Sequence, residues 1–177
     1  MSALASMLAR ALDARRELIA ALTASDTDCY RLFHGTVEGV PGLVVDRYGD
    51  VLLVQSFHAP VGPDDLATLK AWYREAHPVF TDIVHNDRSG GRSRICNALD
   101  AQELIAAEQD RVIRELGVAY RFRARHRGQD PWLFLDLRAA RRHVQSIARG
   151  ESVLNLFAYT CGVGTCAGRR ELYADDR

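Results

Sequence analysis

The stretch VLNLFAYTCGVGTCAG, Val153 to Gly168, decides how the rest of the chain is read. An apolar run from Val153 to Ala158 stops at a turn that contains Gly162 and Gly164. A buried parallel strand running into a glycine-bearing loop has this pattern. In open α/β sheets a ligand sits in the crevice beyond the carboxyl ends of such strands, near the backbone N–H groups of the following helix. This is where a cofactor is expected. The spacing of Gly162, Gly164 and Gly168 is GxGxxxG, which fails the dinucleotide fingerprint GxGxxG, and no Gly-Lys-Ser/Thr follows, which excludes a P-loop. Nine residues follow Gly168. A βαβ unit takes about 30, so a sheet begun here is expected to stay incomplete within this chain.

Upstream, Arg138 to Ala148 reads as a helix with Val144, Ile147 and Ala148 inward and Arg141, Arg142 and Arg149 outward, ended by Gly150. Trp132 to Leu135 is apolar. Val112 to Arg114 and Val118 to Arg125 read as a β-hairpin turning near Glu115 to Gly117. Tyr120, Phe122 and Ala124 alternate there with Arg121, Arg123 and Arg125. With Arg127 these arginines form a basic stripe. Such a stripe either follows a nucleic-acid backbone or is the solvated face of a half-buried sheet, which is the plainer reading. The loop NDRSGGRSRICN, Asn86 to Asn97, leaves the same choice open: Arg88, Arg92 and Arg94 either meet phosphate or are simply solvated. Leu99 to Ala107 is helical or extended.

Towards the N-terminus, apolar residues at helical spacing predict one amphipathic helix over 3–22, with Ser2 as its N-cap. Short strands follow at Cys29 to Phe33, Leu43 to Val45 and Val51 to Phe57, separated by glycine and proline turns, and make a β-meander. Asp64 to about Ala76 reads as a helix with acidic residues at its start, and Thr81 to His85 as a further strand. The fold class is α/β. The expected divisions are an N-terminal helix over 1–28, a small α+β domain over 29–107, and the hairpin plus the start of a second domain over 108–177.

Of 23 basic residues only Lys70 is lysine, and they balance 23 acidic ones, so the chain as a whole is no obvious polyanion binder. The four cysteines, Cys29, Cys96, Cys161 and Cys166, show no paired metal-ligand spacing, and free thiols are expected rather than a metal site. No apolar run approaches the ~18 residues of a membrane span and no leader pattern is present, so a cytoplasmic protein without membrane contact is expected.

Three segments carry a resemblance. RLFHGTVEGVPGLVVDRYGDVLLVQSF, Arg31 to Phe57, resembles the middle domain of the class I S-adenosylmethionine-dependent large-subunit rRNA (cytosine-C5) methyltransferases. LFLDLRAARRHV, from Leu133, is similar to that family's (Y/F)-LDQR element. VLNLFAYTCGVG, from Val153, is similar to its first cofactor motif. The order matches from Arg31 to Gly164, although Leu137, Cys161 and Val163 depart from the usual residues.

The resemblance implies a Rossmann-like domain after the α+β region, S-adenosyl-L-methionine as cofactor, and rRNA as partner and substrate, methylated at cytosine C5. It places Asn155, Phe157, Tyr159, Thr160 and Gly162 along the methionine and ribose side of the cofactor, with Asp136 and Arg138 beside it. None of the four cysteines matches the family nucleophile, which is expected beyond the chain end, and the family's N-terminal PUA module is expected to be absent. The chain by itself is then expected to be inactive or a weak binder, and to self-associate through its unfinished sheet. The alternative is a non-catalytic RNA-binding or assembly module that uses Arg121, Arg123, Arg125 and Arg127 together with the Arg141-Arg142 helix face.

Overall fold

The computed structural model describes residues 2–126, 131–156 and 159–168. Phe157 and Arg127 therefore lie outside the described residues. The chain opens with two helices, α1 (Ala3–Ala14) and α2 (Arg16–Ala24), where the sequence suggested one. The helix breaks at Arg15, whose side chain bends back to the Ala11 carbonyl at 2.9 Å and reaches across to Glu38 at 2.6 Å. Ser2 caps α1 as expected, its hydroxyl accepting from the Ala5 N–H.

Next come β1 (Cys29–His34), the single turn α3 (Gly35–Glu38), β2 (Leu43–Tyr48) and β3 (Val51–Ser56). These strands form the expected antiparallel meander. The crossover helix α4 (Pro63–Ala76) then brings β4 (Asp82–Asp87) alongside β3 in parallel. All six residues of β3 are buried because both faces of the sheet are covered. Leu52 and Val54 join a core beneath α1, α2 and α4, with Leu8, Leu69 and Tyr73. Val51 and Leu53 join the opposite core.

That second face is covered by α5 (Ala101–Glu108) and by the hairpin β5 (Arg111–Glu115) and β6 (Val118–Phe122). Asp100 decides the open choice for α5, because it makes a reciprocal capping box with Glu103, whose N–H it accepts at 2.8 Å. Phe122 stacks on Tyr48 with ring centroids 4.2 Å apart. The hairpin therefore shares its core with the four-stranded sheet.

Helix α6 (Arg138–Ile147) and the short helix α7 (Gly162–Gly168) complete the described elements. Three expectations are corrected here. The strand expected to reach Arg125 ends at Phe122, which interrupts the arginine stripe. Helix α6 is rotated from its expected facing: Arg141 is buried and Ile147 is 57% exposed. Lastly, 153–156 is not a strand among the described residues; Leu154 and Leu156 are 81% and 67% exposed, and Gly162 and Gly164 lie within α7 rather than in a loop. An extended segment becomes a strand only where a neighbour takes its backbone hydrogen bonds, and no described strand pairs with this one.

Candidate functional site

The segment after the hairpin, Trp132 to Leu137, runs past α6 and faces the residues that lead into α7. Between them lies a cleft of about 140 Å³. Trp132, Phe134 and Leu137 form one wall, Asn155, Tyr159 and Thr160 the other, and Gly162 and Arg141 lie between. Four of the residues expected at a cofactor, Asn155, Tyr159, Thr160 and Gly162, are thus brought together.

Local chemistry explains the arrangement. The Thr160 hydroxyl donates to the Trp132 carbonyl and ties the two walls. The Phe134 and Tyr159 rings sit 5.7 Å apart at 46°. Cys161 adopts φ +57°, which turns the chain into α7. The Asn155 side chain lies against α7 beside Gly164, where an added Cβ would sit 3.4 Å from its amide nitrogen, at ordinary contact distance.

Behind the cleft is a buried charge cluster. Glu115, at the hairpin turn, accepts from both Arg138 at 2.8 Å and Arg141 at 3.0 Å. Arg141 also donates to the Phe134 carbonyl at 2.8 Å, and Arg138 to the Cys29 carbonyl. Burial opposes the Arg141 charge, yet its hydrogen bonds to Glu115 prevail and hold its proton more tightly than usual. Burial, reinforced by Glu115, pushes the Cys29 thiol up to about 12. Burial also raises the Cys166 thiol, while Cys96 and Cys161 are exposed.

Arg138 is thus committed to Glu115 and does not line the cleft. Asp136 is exposed and also stands outside it. The stripe is dispersed as well. Arg121 and Arg123 both reach Asp110, at 3.8 and 2.7 Å. Arg125 turns inward onto Asn86 and Asn97. Trp132 and Phe134 were not singled out from the sequence, and Arg141, expected on an exposed helix face available to RNA, is instead buried beside the cleft. The available signal was the alternation in Trp132-Leu-Phe134, which puts two aromatic rings on one side of an extended segment.

The walls fit part of a nucleoside cofactor. Aromatic faces suit a cationic sulfonium or a base, and the Asn155 amide and Thr160 supply polar groups. The cleft is smaller than the ~300–1,000 Å³ of sites that enclose a drug-sized ligand.

The fold is that of an α/β protein, with the cleft lying between the segment that leads into α6 and the start of α7. A family model described as S-adenosylmethionine-dependent methyltransferase matches residues 30–170. The chain is 34% identical over 169 residues to a ribosomal RNA large subunit methyltransferase of Deinococcus radiodurans, covering 93% of this chain and 41% of that protein. It is 29% identical over 163 residues to ribosomal RNA large subunit methyltransferase I of Erwinia tasmaniensis, covering 89% and 40%. A SAM-dependent methyltransferase from Streptococcus mutans has a similar structure, with a TM-score of 0.72 at 25% identity over 93% of this chain and 41% of that one. A methyltransferase solved in complex with SAH gives the same score and identity. The chain belongs to the S-adenosylmethionine-dependent methyltransferase family. It spans about two fifths of the length of these relatives.

Proposed function

We propose that this protein takes part in methylating large-subunit ribosomal RNA with S-adenosylmethionine as donor. The observation that carries the reading is the convergence of Asn155, Tyr159, Thr160 and Gly162 on one aromatic-walled cleft, in a chain whose relatives are rRNA methyltransferases. The cofactor, when bound, supplies an electrophilic methyl group. This chain's residues bind and orient: Phe134 and Tyr159 offer ring faces, Asn155 a hydrogen-bonding amide, and Gly162 and Gly164 room for close approach. The finer reading, carbon 5 of cytosine, rests on the order of the three motifs between Arg31 and Gly164.

Calorimetric titration with SAH tests the cleft. Saturable binding is expected, weakened at least tenfold by Tyr159→Ala or Gly162→Leu; no binding overturns the reading. Transfer of labelled methyl groups to large-subunit rRNA, with the modified nucleoside read by mass spectrometry, tests the rest. This chain by itself is expected to give no transfer; where a methylated product does form, 5-methylcytidine supports the finer reading and any other methylated base overturns that reading alone.

A further inference from the structure

The loop after β4 is held far more firmly than a solvated surface loop requires. Asp87 donates its N–H to the Asn97 side chain at 2.8 Å, and its carbonyl accepts from the Cys96 N–H at 2.8 Å, so the two ends of the loop are joined. The Asp87 carboxylate accepts from the Ser89 N–H and the Ser56 hydroxyl, both at 2.9 Å. Arg88 is buried beneath the loop, over the Phe57 ring, where it donates to Gln55 at 3.1 Å and to the Ser93 carbonyl at 2.9 Å. Ser93 and Arg92 both hold positive φ, 52° and 61°. A non-glycine pair in that region persists only where its surroundings enforce it.

The scaffold presents Arg92 and Arg94 on either side of the gripped Ser93. Both are exposed, and neither forms an ion pair among the described residues. This sets them apart from Arg121 and Arg123, whose charge Asp110 offsets. The loop is also joined to the cleft by a run of contacts. Asn97, at its base, accepts from Arg125 at 3.0 Å. The neighbouring His126 packs against Trp132, ring centroids 5.1 Å apart, and Trp132 lines the cleft. Unpaired guanidinium groups on a held backbone suit phosphate oxygens, because the loop itself needs little ordering on binding.

We propose that the Ser89–Cys96 loop is an RNA-phosphate clamp, in which Arg92 and Arg94 each take one backbone phosphate of the substrate RNA. The proposal rests on the rRNA reading above and assigns to this loop the anchoring that the strand arginines do not provide. Phosphate contacts fix the position and register of a nucleic acid without reading its sequence. The clamp would hold the RNA while a nucleotide is offered to the cleft.

Fluorescence anisotropy of a labelled single-stranded RNA, titrated across a range of salt concentrations, tests this. Each phosphate contact on a single strand contributes about 0.7 to the slope of log affinity against log salt. The double variant R92Q/R94Q should lower that slope by roughly 1.4 and weaken low-salt binding at least tenfold. SAH affinity and the thermal midpoint should not change. R142Q/R149Q, at exposed positions on α6 and just beyond its C-terminal end, should leave the slope as it is. Wild-type binding whose slope survives R92Q/R94Q, or is removed by R142Q/R149Q instead, overturns the clamp and leaves the functional reading standing. A wild-type chain that binds SAH but no RNA overturns the RNA reading itself.

Discussion

A side chain at Gly35 would put its Cβ 1.8 Å from the Val40 carbonyl oxygen and 2.7 Å from that of Leu43. Both obstacles are backbone, so no rotamer relieves them. Gly35→Ala is expected to destabilise the protein by about 3 kcal/mol or more, measured by urea unfolding. Gly62→Ala, with nothing within 4 Å, should stay within about 0.5 kcal/mol. The sequence marks both glycines as turn formers; the opposing carbonyls appear only once β1 and β2 are paired. Arg141 shows the same limit. A charged residue on an amphipathic helix reads as solvent-facing because burying its charge alone is prohibitive. Its partner Glu115 lies in the hairpin, beyond the reach of helical periodicity. Cys161 offers a direct test of the cleft. Iodoacetamide should label Cys96 and Cys161 in the native protein and spare buried Cys29 and Cys166. Saturating SAH should slow labelling of Cys161 and leave Cys96 unchanged, as read by peptide mass spectrometry.

Elements whose partners are local were legible. The meander, α4 and β4 follow from alternation, turn residues and an acidic helix start, and they appear within a few residues of their expected bounds. Among the described residues, 153–156 of the element expected at Val153 are not a strand, because apolar content specifies burial while a strand also needs a hydrogen-bonding neighbour. The motif order singled out Asn155, Tyr159, Thr160 and Gly162, which the structure brings to one cleft. The opposing wall and the arginine cluster depend on how the hairpin meets α6. That junction hinges on one carboxylate. Glu115→Gln would leave two buried guanidinium groups without a counter-charge, and removing one partner from a buried ion pair costs about 3–5 kcal/mol. The variant should unfold at lower urea. Because Arg141 also holds the Phe134 carbonyl, its folded fraction should bind SAH more weakly than wild type.

Over the whole molecule, buried His85 and half-buried His77 give stability a pH dependence with a definite sign. Burial holds His85 and His77 below the ordinary value of 6.5. The unfolded chain therefore takes up protons first as pH falls. Their contribution is complete above about 6.5 and declines as pH drops towards their lower folded values. Asp87 adds to the decline further down. Burial raises its pKa, but hydrogen bonds from Ser89, Ser56 and Cys96 outweigh that and hold it below the usual carboxylate range. Its contribution is present above the ordinary carboxylate value and is lost as pH falls through the depressed one. The thermal midpoint should fall between pH 7 and 5, and His85→Gln should flatten that fall.

Arg141, which shares Glu115 with Arg138, joins the hairpin turn to the wall of the cleft. An occupant pressed against that wall would restrain both, since coupling between sites acts equally in either direction. Deuterium uptake at the backbone amides of Leu116 and Gly117, which touch no part of the cleft, should slow when it is filled. The hairpin would then report occupancy from a distance, as a gauge mounted outside the chamber it measures.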